Sequence, residues 1–202
     1  MTTRGVALLA AVVLAGVACS TERPKYGGDP ERQLLAATTA LDVARVKQLL
    51  GAGANPNVMV SYQGLNHSPW EIALKQARPW HPVHVAIVQA MLDAKADPRW
   101  AYGEHTYKGT VRWYHDPPLM IVQAVPDVVR ALMRSGLDPR DAEGALVEAV
   151  ENRQAEIVHI LVESGVNVNT HHGANTPLGA AIDTRNVELM TYLEEHGARE
   201  KP

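Results

Sequence analysis

Cys19 is the only cysteine of the 202-residue chain, and it closes the longest apolar run, in the stretch Leu14-Ala15-Gly16-Val17-Ala18-Cys19-Ser20. One thiol forms no intramolecular disulfide and is a poor start for a thiolate zinc site, which takes two or more. Imidazoles are the other candidates: the nine histidines include His105 and His115, which flank Lys108-Gly109 and stand beside Asp116, and the adjacent pair His171-His172. Two imidazoles across a hairpin can chelate. The sequence nevertheless has no H-E-x-x-H signature and no carboxylate at helical ligand spacing, so no metal and no other cofactor is expected. It also lacks a Ser/His/Asp signature and a glycine-rich phosphate loop, and Glu148/Glu151 and Glu194/Glu195 read as exposed helix charge. These readings point away from an enzyme and leave covalent modification as the chemistry for Cys19.

The residues around Cys19 support that reading. Met1-Thr2-Thr3-Arg4 carries one positive side chain, and the 14 residues from Gly5 to Ala18 are free of charge. A bilayer core needs about 20 apolar residues in a helix, so this run suits the apolar core of an export signal better than a permanent span. Ser20 to Pro30 is polar, rich in Gly and Pro, and without periodicity, as a tether is. Val17-Ala18-Cys19 resembles the cleavage region of a bacterial lipoprotein signal, with Gly16 where that motif usually has a larger apolar residue. The resemblance implies acylation of Cys19, cleavage just before it and a further acyl chain on the new amino terminus; the alternatives are a plain secretory signal cut after Ala18 or nearby, leaving an unmodified thiol, and an uncleaved short anchor. Several acyl chains hold a soluble domain at a membrane where one chain is marginal. Ser20 in place of Asp implies sorting to the outer membrane of a two-membrane bacterium. The expected organisation is a signal peptide over 1–18, a flexible tether over 19–30 and a folded domain over 31–200 on the periplasmic face.

With 19 Lys+Arg against 22 Asp+Glu the net charge is -3, so the chain lacks the general basic footprint of a nucleic-acid binder. There is no Phe, and the core must be built from Ala, Val, Leu and similar aliphatics, which suits closely stacked helices.

An internal repeat organises the rest. "VKQLLGAGANPN" from Val46, "VQAMLDAKADPR" from Val88, "VRALMRSGLDPR" from Val129, "VHILVESGVNVN" from Val158 and "MTYLEEHGAREK" from Met190 align in columns. Val46, Val88, Val129, Val158 and Met190 share one column, and Leu49, Met91, Leu132, Leu161 and Leu193 share another. Ile87, Val128, Ile157 and Leu189 precede four of them, completing an apolar stripe at helical spacing. Gly53, Lys95, Gly136, Gly165 and Gly197 follow each stripe, where a left-handed residue stops a helix; Lys95 is the exception to glycine. Asn-Pro or Asp-Pro follows in three units, forcing the chain to leave extended. Upstream lies a second helical segment, clearest at Thr176-Pro177-Leu178-Gly179 and Ser68-Pro69-Trp70-Glu71, where Ser or Thr caps and Pro fills the first turn. The small residues Ala37, Ala73, Ala149 and Ala181 share a column that lets helices approach closely.

In these columns the chain resembles the ankyrin-repeat family, whose unit is two antiparallel helices and a projecting hairpin loop, over about Glu31 to Arg199. The family's histidine in the Thr-Pro-Leu-His start is replaced by Leu35, Glu71, Met120, Val147 and Gly179. Successive members of the Gly column are 42, 41, 29 and 32 residues apart, against about 33 for the family. The fold class implied is all-α, an ankyrin-repeat helical solenoid of about five helix-turn-helix units with extended β-hairpin loops.

In such a stack the loops are free to vary, so excess length marks a working surface. Val58–His67 and Arg78–His84 are excesses, and the largest is Arg99–His115. Five of the aromatics, which number 4 Trp and 6 Tyr in all, lie between Trp100 and Tyr114, on two β-rich arms about Lys108-Gly109. Trp, Tyr and Arg dominate binding hot spots. Trp100, Tyr102, His105, Tyr107, Arg112, Trp113 and Tyr114, with Tyr62 and Trp80 nearby, therefore form the expected partner-binding patch; the alternative is that the rings only pack the hairpin on its own helices. The expected function is a non-catalytic, membrane-anchored module that holds another protein, with immunity against a periplasm-targeted toxin or service as an accessory subunit of an envelope enzyme as alternatives.

Overall fold

The computed structural model describes residues 25–62, 64–77, 81–107, 110–121 and 125–199, with the side chains at 105–107 and 110–115 outside the description. The expectations for the signal segment, Cys19 and Trp80 lie outside the described residues.

The apolar stripes are helices, and they come in pairs. Among the described residues the pairs are α1 (Asp29–Thr39) with α2 (Val43–Gly51), α3 (Pro69–Gln76) with α4 (Pro82–Asp93), and α5 (Pro118–Ile121) with α6 (Pro126–Arg134). They continue with α7 (Glu143–Glu151) and α8 (Ala155–Glu163), then α9 (Pro177–Asp183) and α10 (Val187–Glu195). Successive first helices pack together, α1 on α3, α3 on α5 and α7 on α9, and so do second helices, α2 on α4, α4 on α6 and α6 on α8. The result is a helical repeat solenoid of two layers.

Side-chain caps start several of the helices. Ser68 Oγ accepts from Glu71 N at 3.1 Å, Thr176 Oγ1 from Gly179 N at 3.0 Å, and Asp42 Oδ1 from Arg45 N at 2.9 Å. Each bond satisfies an amide that the first turn leaves without a helical partner. The same logic ends the second helices. Gly53, Gly136, Gly165 and Gly197 have φ between 90° and 95°, and Lys95 adopts the same hand at 67°. The amide after it then reaches back across the last turn, Ala54 N to Leu49 O at 3.1 Å, Ala96 N to Met91 O at 2.8 Å and Val166 N to Leu161 O at 3.1 Å.

Three of the first helices, α1, α7 and α9, close the same way without glycine. Leu41, Arg153 and Arg185 have φ of 58°, 57° and 52°, and Asp42, Gln154 and Asn186 donate to the carbonyls of Ala37, Ala149 and Ala181 at 3.0, 2.8 and 2.9 Å. In these three helices the small-residue column thus supplies both the close helix approach and the acceptor of the turn. Its side chains are buried, as are Val46, Val88, Val129, Val158, Met91, Leu132, Leu161 and Leu193 of the stripes. One continuous core runs from Leu34 to Ala198.

Four strands join the helices, and they form one sheet rather than separate hairpin loops. Strands β1 (Val60–Tyr62) and β2 (Leu65–His67) come from the first length excess, and β3 (Ala101–Tyr107) and β4 (Thr110–Asp116) from the largest. They form one antiparallel sheet in the order β1-β2-β3-β4, linked in the middle by the pair His67↔Gly103. Residues that read as two separate loops pair because the strands stand side by side on adjacent units. The chain is tied to this sheet from its first described residues: Met59 N donates to Lys25 O and Gly27 N to Met59 O, both at 2.9 Å.

Candidate protein-binding surface

The sheet is fastened to the solenoid by one carboxyl group. Ser68 starts α3, which places Glu71 in its first turn with the side chain fully buried. One carboxyl oxygen meets His67 Nδ1 of β2 at 2.8 Å, and the other pairs with Lys75 Nζ one turn along α3. Gly103 of β3 lies directly over this group: a Cβ there would stand 2.6 Å from Glu71 Cδ and from Oε1. The glycine is required for close approach, not for backbone conformation. A buried carboxyl group needs such partners, since leaving it unpaired costs several kcal/mol, about 3–5 when one member of a pair is removed.

A second carboxyl group ties the strands from the opposite face. Glu104 Oε2 accepts from Asn66 Nδ2 at 3.0 Å and from Asn66 N at 3.3 Å, and its Oε1 accepts from Tyr26 Oη at 3.0 Å. Sheet and amino-terminal segment are therefore held as one piece.

The described residues among those expected to bind a partner fall on this sheet or at its root. Tyr102 (β3) and Tyr62 (β1) are half-buried. Register places His105 opposite Arg112, Gly103 opposite Tyr114, Glu104 opposite Trp113 and Tyr107 opposite Thr110. Tyr62 pairs with Leu65, so β2 and β3 separate it from β4. Trp100, half-buried, lines a small cleft of about 50 Å³ with Pro98, Pro117, Pro118 and Leu119 at the root of the hairpin. Glu71 and Glu104 were not among the expected site residues. Glu71 reads in sequence as an ordinary capping residue three places after Ser68, and only a glycine inside a β-rich arm, Gly103, signals a close approach there.

Three further features lie away from the sheet. Asn57 Nδ2 donates to Lys95 O at 2.9 Å while its Oδ1 accepts from Asp97 N at 2.8 Å, and Asn169 makes the equivalent bonds to Gly197 O and Arg199 N at 3.0 and 2.9 Å. These side chains clamp consecutive unit ends. His172 is exposed in the loop between α8 and α9, with its ring against Gly144, where a Cβ would stand 2.9 Å from Nδ1, and with Nε2 3.6 Å from Glu148 Oε1. The Arg140 side chain, bonded to Asp138 at 2.6 Å, holds the Asp138 carboxyl down at about 2, with help from the Arg140 backbone N–H.

A surface groove of about 800 Å³ lies on the second-helix side, where Gln89, Asp93, Lys95, Asp97 and Arg134 mix both charges. Among the described residues no cluster of three or more His, Cys, Asp or Glu side chains is arranged to hold a metal ion, and no helix is long and apolar enough to cross a membrane.

Two layers of paired helices with shared unit-end turns define a helical repeat solenoid. Residues 119–201 match the family model of ankyrin repeats in three copies, so this part of the chain carries ankyrin repeats. Such repeats imply a module that binds another protein. No curated protein matches the chain.

Proposed function

We propose that this protein is a lipid-anchored module of the bacterial envelope that holds another protein through the β1–β4 sheet and its aromatic arms. The unit count is then five, with residues 25–118 forming two atypical units and the start of a third, directly ahead of the matched stretch, and carrying the sheet. What carries the reading is the fastening of the sheet by buried Glu71. Arms fixed to a rigid solenoid present Trp, Tyr and Arg positions with little ordering entropy left to lose, which favours binding. The anchor at Cys19 would raise the local concentration of the module at the membrane, on the periplasmic face of the outer membrane.

Cross-linking and recovery of the full chain from membranes, with Trp113→Ala and Tyr107→Ala compared to the parent, tests the binding surface. Loss of a specific partner from variants that keep the parent's circular dichroism supports it, and an unchanged partner profile sinks it. Incorporation of labelled palmitate that disappears in Cys19→Ser tests the anchor separately.

A further inference from the structure

The two outer edges of the sheet are treated differently. At β1 the edge is covered by the chain itself, through the bonds of Lys25 and Gly27 to Met59 and the parallel bridge Tyr26↔Met59, with α1 packed alongside. At the other side β4 is the last strand, and no strand pairs with its outer edge among the described residues.

Which of its backbone groups face outward follows from one bond. Ser68 N donates to Tyr102 O at 3.0 Å, so the main-chain groups of Tyr102 are turned away from β4. Its partner His115 therefore turns its own N–H and C=O away from β3. Antiparallel pairs alternate between bonded and non-bonded, so Val111 and Trp113 share that outward direction, while Arg112 and Tyr114 bond inward. Natural edges are guarded by lysine, proline, a bulge or an inward charge. The outward positions Val111, Trp113 and His115 have none of these guards.

We infer that the β4 edge is an interface for β4 of a second copy of this chain, paired antiparallel about a two-fold axis through Trp113. A second copy fits because the strand is complementary to itself in this register. Val111 falls opposite His115 of the other copy and Trp113 opposite Trp113, all outward-facing positions, so about six backbone hydrogen bonds form. Arg112 falls opposite Tyr114 in the closer, non-bonded pairs, a cation beside an aromatic ring. A register centred on Arg112 sets two guanidinium groups opposite each other and leaves the outward groups of His115 without a partner. A single strand pair is small beside the roughly 1,000 Å² of a stable free-standing interface, so this contact suits molecules concentrated on one membrane. The inference stands on strand order and register, independent of any other partner in the proposed function.

The full chain is produced in two differently tagged forms in one cell, with a photo-reactive amino acid at position 115. Irradiation gives a product carrying both tags, and Trp113→Lys, which sets two ammonium groups on the axis, reduces that product severalfold. Trp113→Pro does the same by removing an outward N–H that β3 does not use. Circular dichroism and the thermal midpoint establish that each variant is folded. The inference is overturned by a parent that gives no doubly tagged product, by cross-links that form only to a different protein, or by a doubly tagged product that persists undiminished in folded Trp113→Lys.

Discussion

The Glu71 carboxyl group occupies the space that a side chain at position 103 would take: its Cδ lies 2.6 Å from where the first carbon would stand. Gly103→Ala therefore forces either β3 or the buried carboxyl to move, and loss of about 1–3 kcal/mol is expected, as in other overpacked sites. The test is a double-mutant cycle by urea denaturation. Glu71→Ala frees the space at the cost of the carboxyl group's contacts with His67 and Lys75, so the double variant should be markedly less destabilised than the sum of the single ones. Additive effects would mean that the two positions are not in conflict.

Lys95 holds a left-handed conformation, φ 67°, in a column otherwise filled by glycine. A side chain in that region costs about 1–2 kcal/mol, and glycine gives part of this back through its greater freedom when unfolded. Lys95→Gly should raise stability by about 0.5–1 kcal/mol, and the midpoint of thermal unfolding by about 1–4 °C. Gly165→Ala, at φ 90°, should move it the other way. A Lys95→Gly protein that melts earlier than the parent would refute the assignment of strain to this turn.

Asn169 joins the last two unit ends through bonds of 3.0 and 2.9 Å to Gly197 O and Arg199 N. In a stack whose units contact only their neighbours, the terminal unit frays first. Asn169→Ala should cost about 1–2 kcal/mol, and the loss should appear locally, as faster amide exchange over α9 and α10 with α2 to α4 unaffected. Uniform acceleration along the chain would contradict a local clamp.

Asp138 is held at about 2 against an ordinary 3.8, first by the Arg140 side chain and then by the Arg140 backbone N–H. A carboxyl group whose folded value is depressed contributes stability that is present above the unfolded value and lost as pH falls through the folded one. The window is therefore roughly pH 4 down to pH 2, and because the group is exposed, solvent and salt weaken the effect. In Arg140→Ala the Asp138 carboxyl resonance should titrate closer to 3.8, the ordinary value. A titration midpoint unchanged from the parent would show that the Arg140 side chain is not the cause.

Much of the solenoid is local, and local interactions leave a periodic trace. The columns headed by Val46 and Leu49 recur at helical spacing because each helix must bury one face. Gly53 and its counterparts mark helix ends because few other residues adopt that backbone conformation. The left-handed turns at Leu41, Arg153 and Arg185 leave no such trace, since tertiary packing of the helix pair, and not residue type, holds them there. The aromatic arms from Trp100 to Tyr114 are visible as composition and as two β-rich segments about Lys108-Gly109.

The order of the strands is not a local property. Tyr26 meets Glu104 across 78 residues and Asn66 meets Glu104 across 38. Nothing in their immediate neighbours selects those partners, because the energy that does so comes from stacking unit on unit. Residue types alone set the helices, the glycine-marked ends of the second helices and the aromatic content of the long insertion. Tertiary structure alone brought a buried carboxyl group under a strand glycine, merged two insertions into one sheet, and made β4 its last strand among the described residues. Backbone pairing and burial depend on which surfaces meet in space.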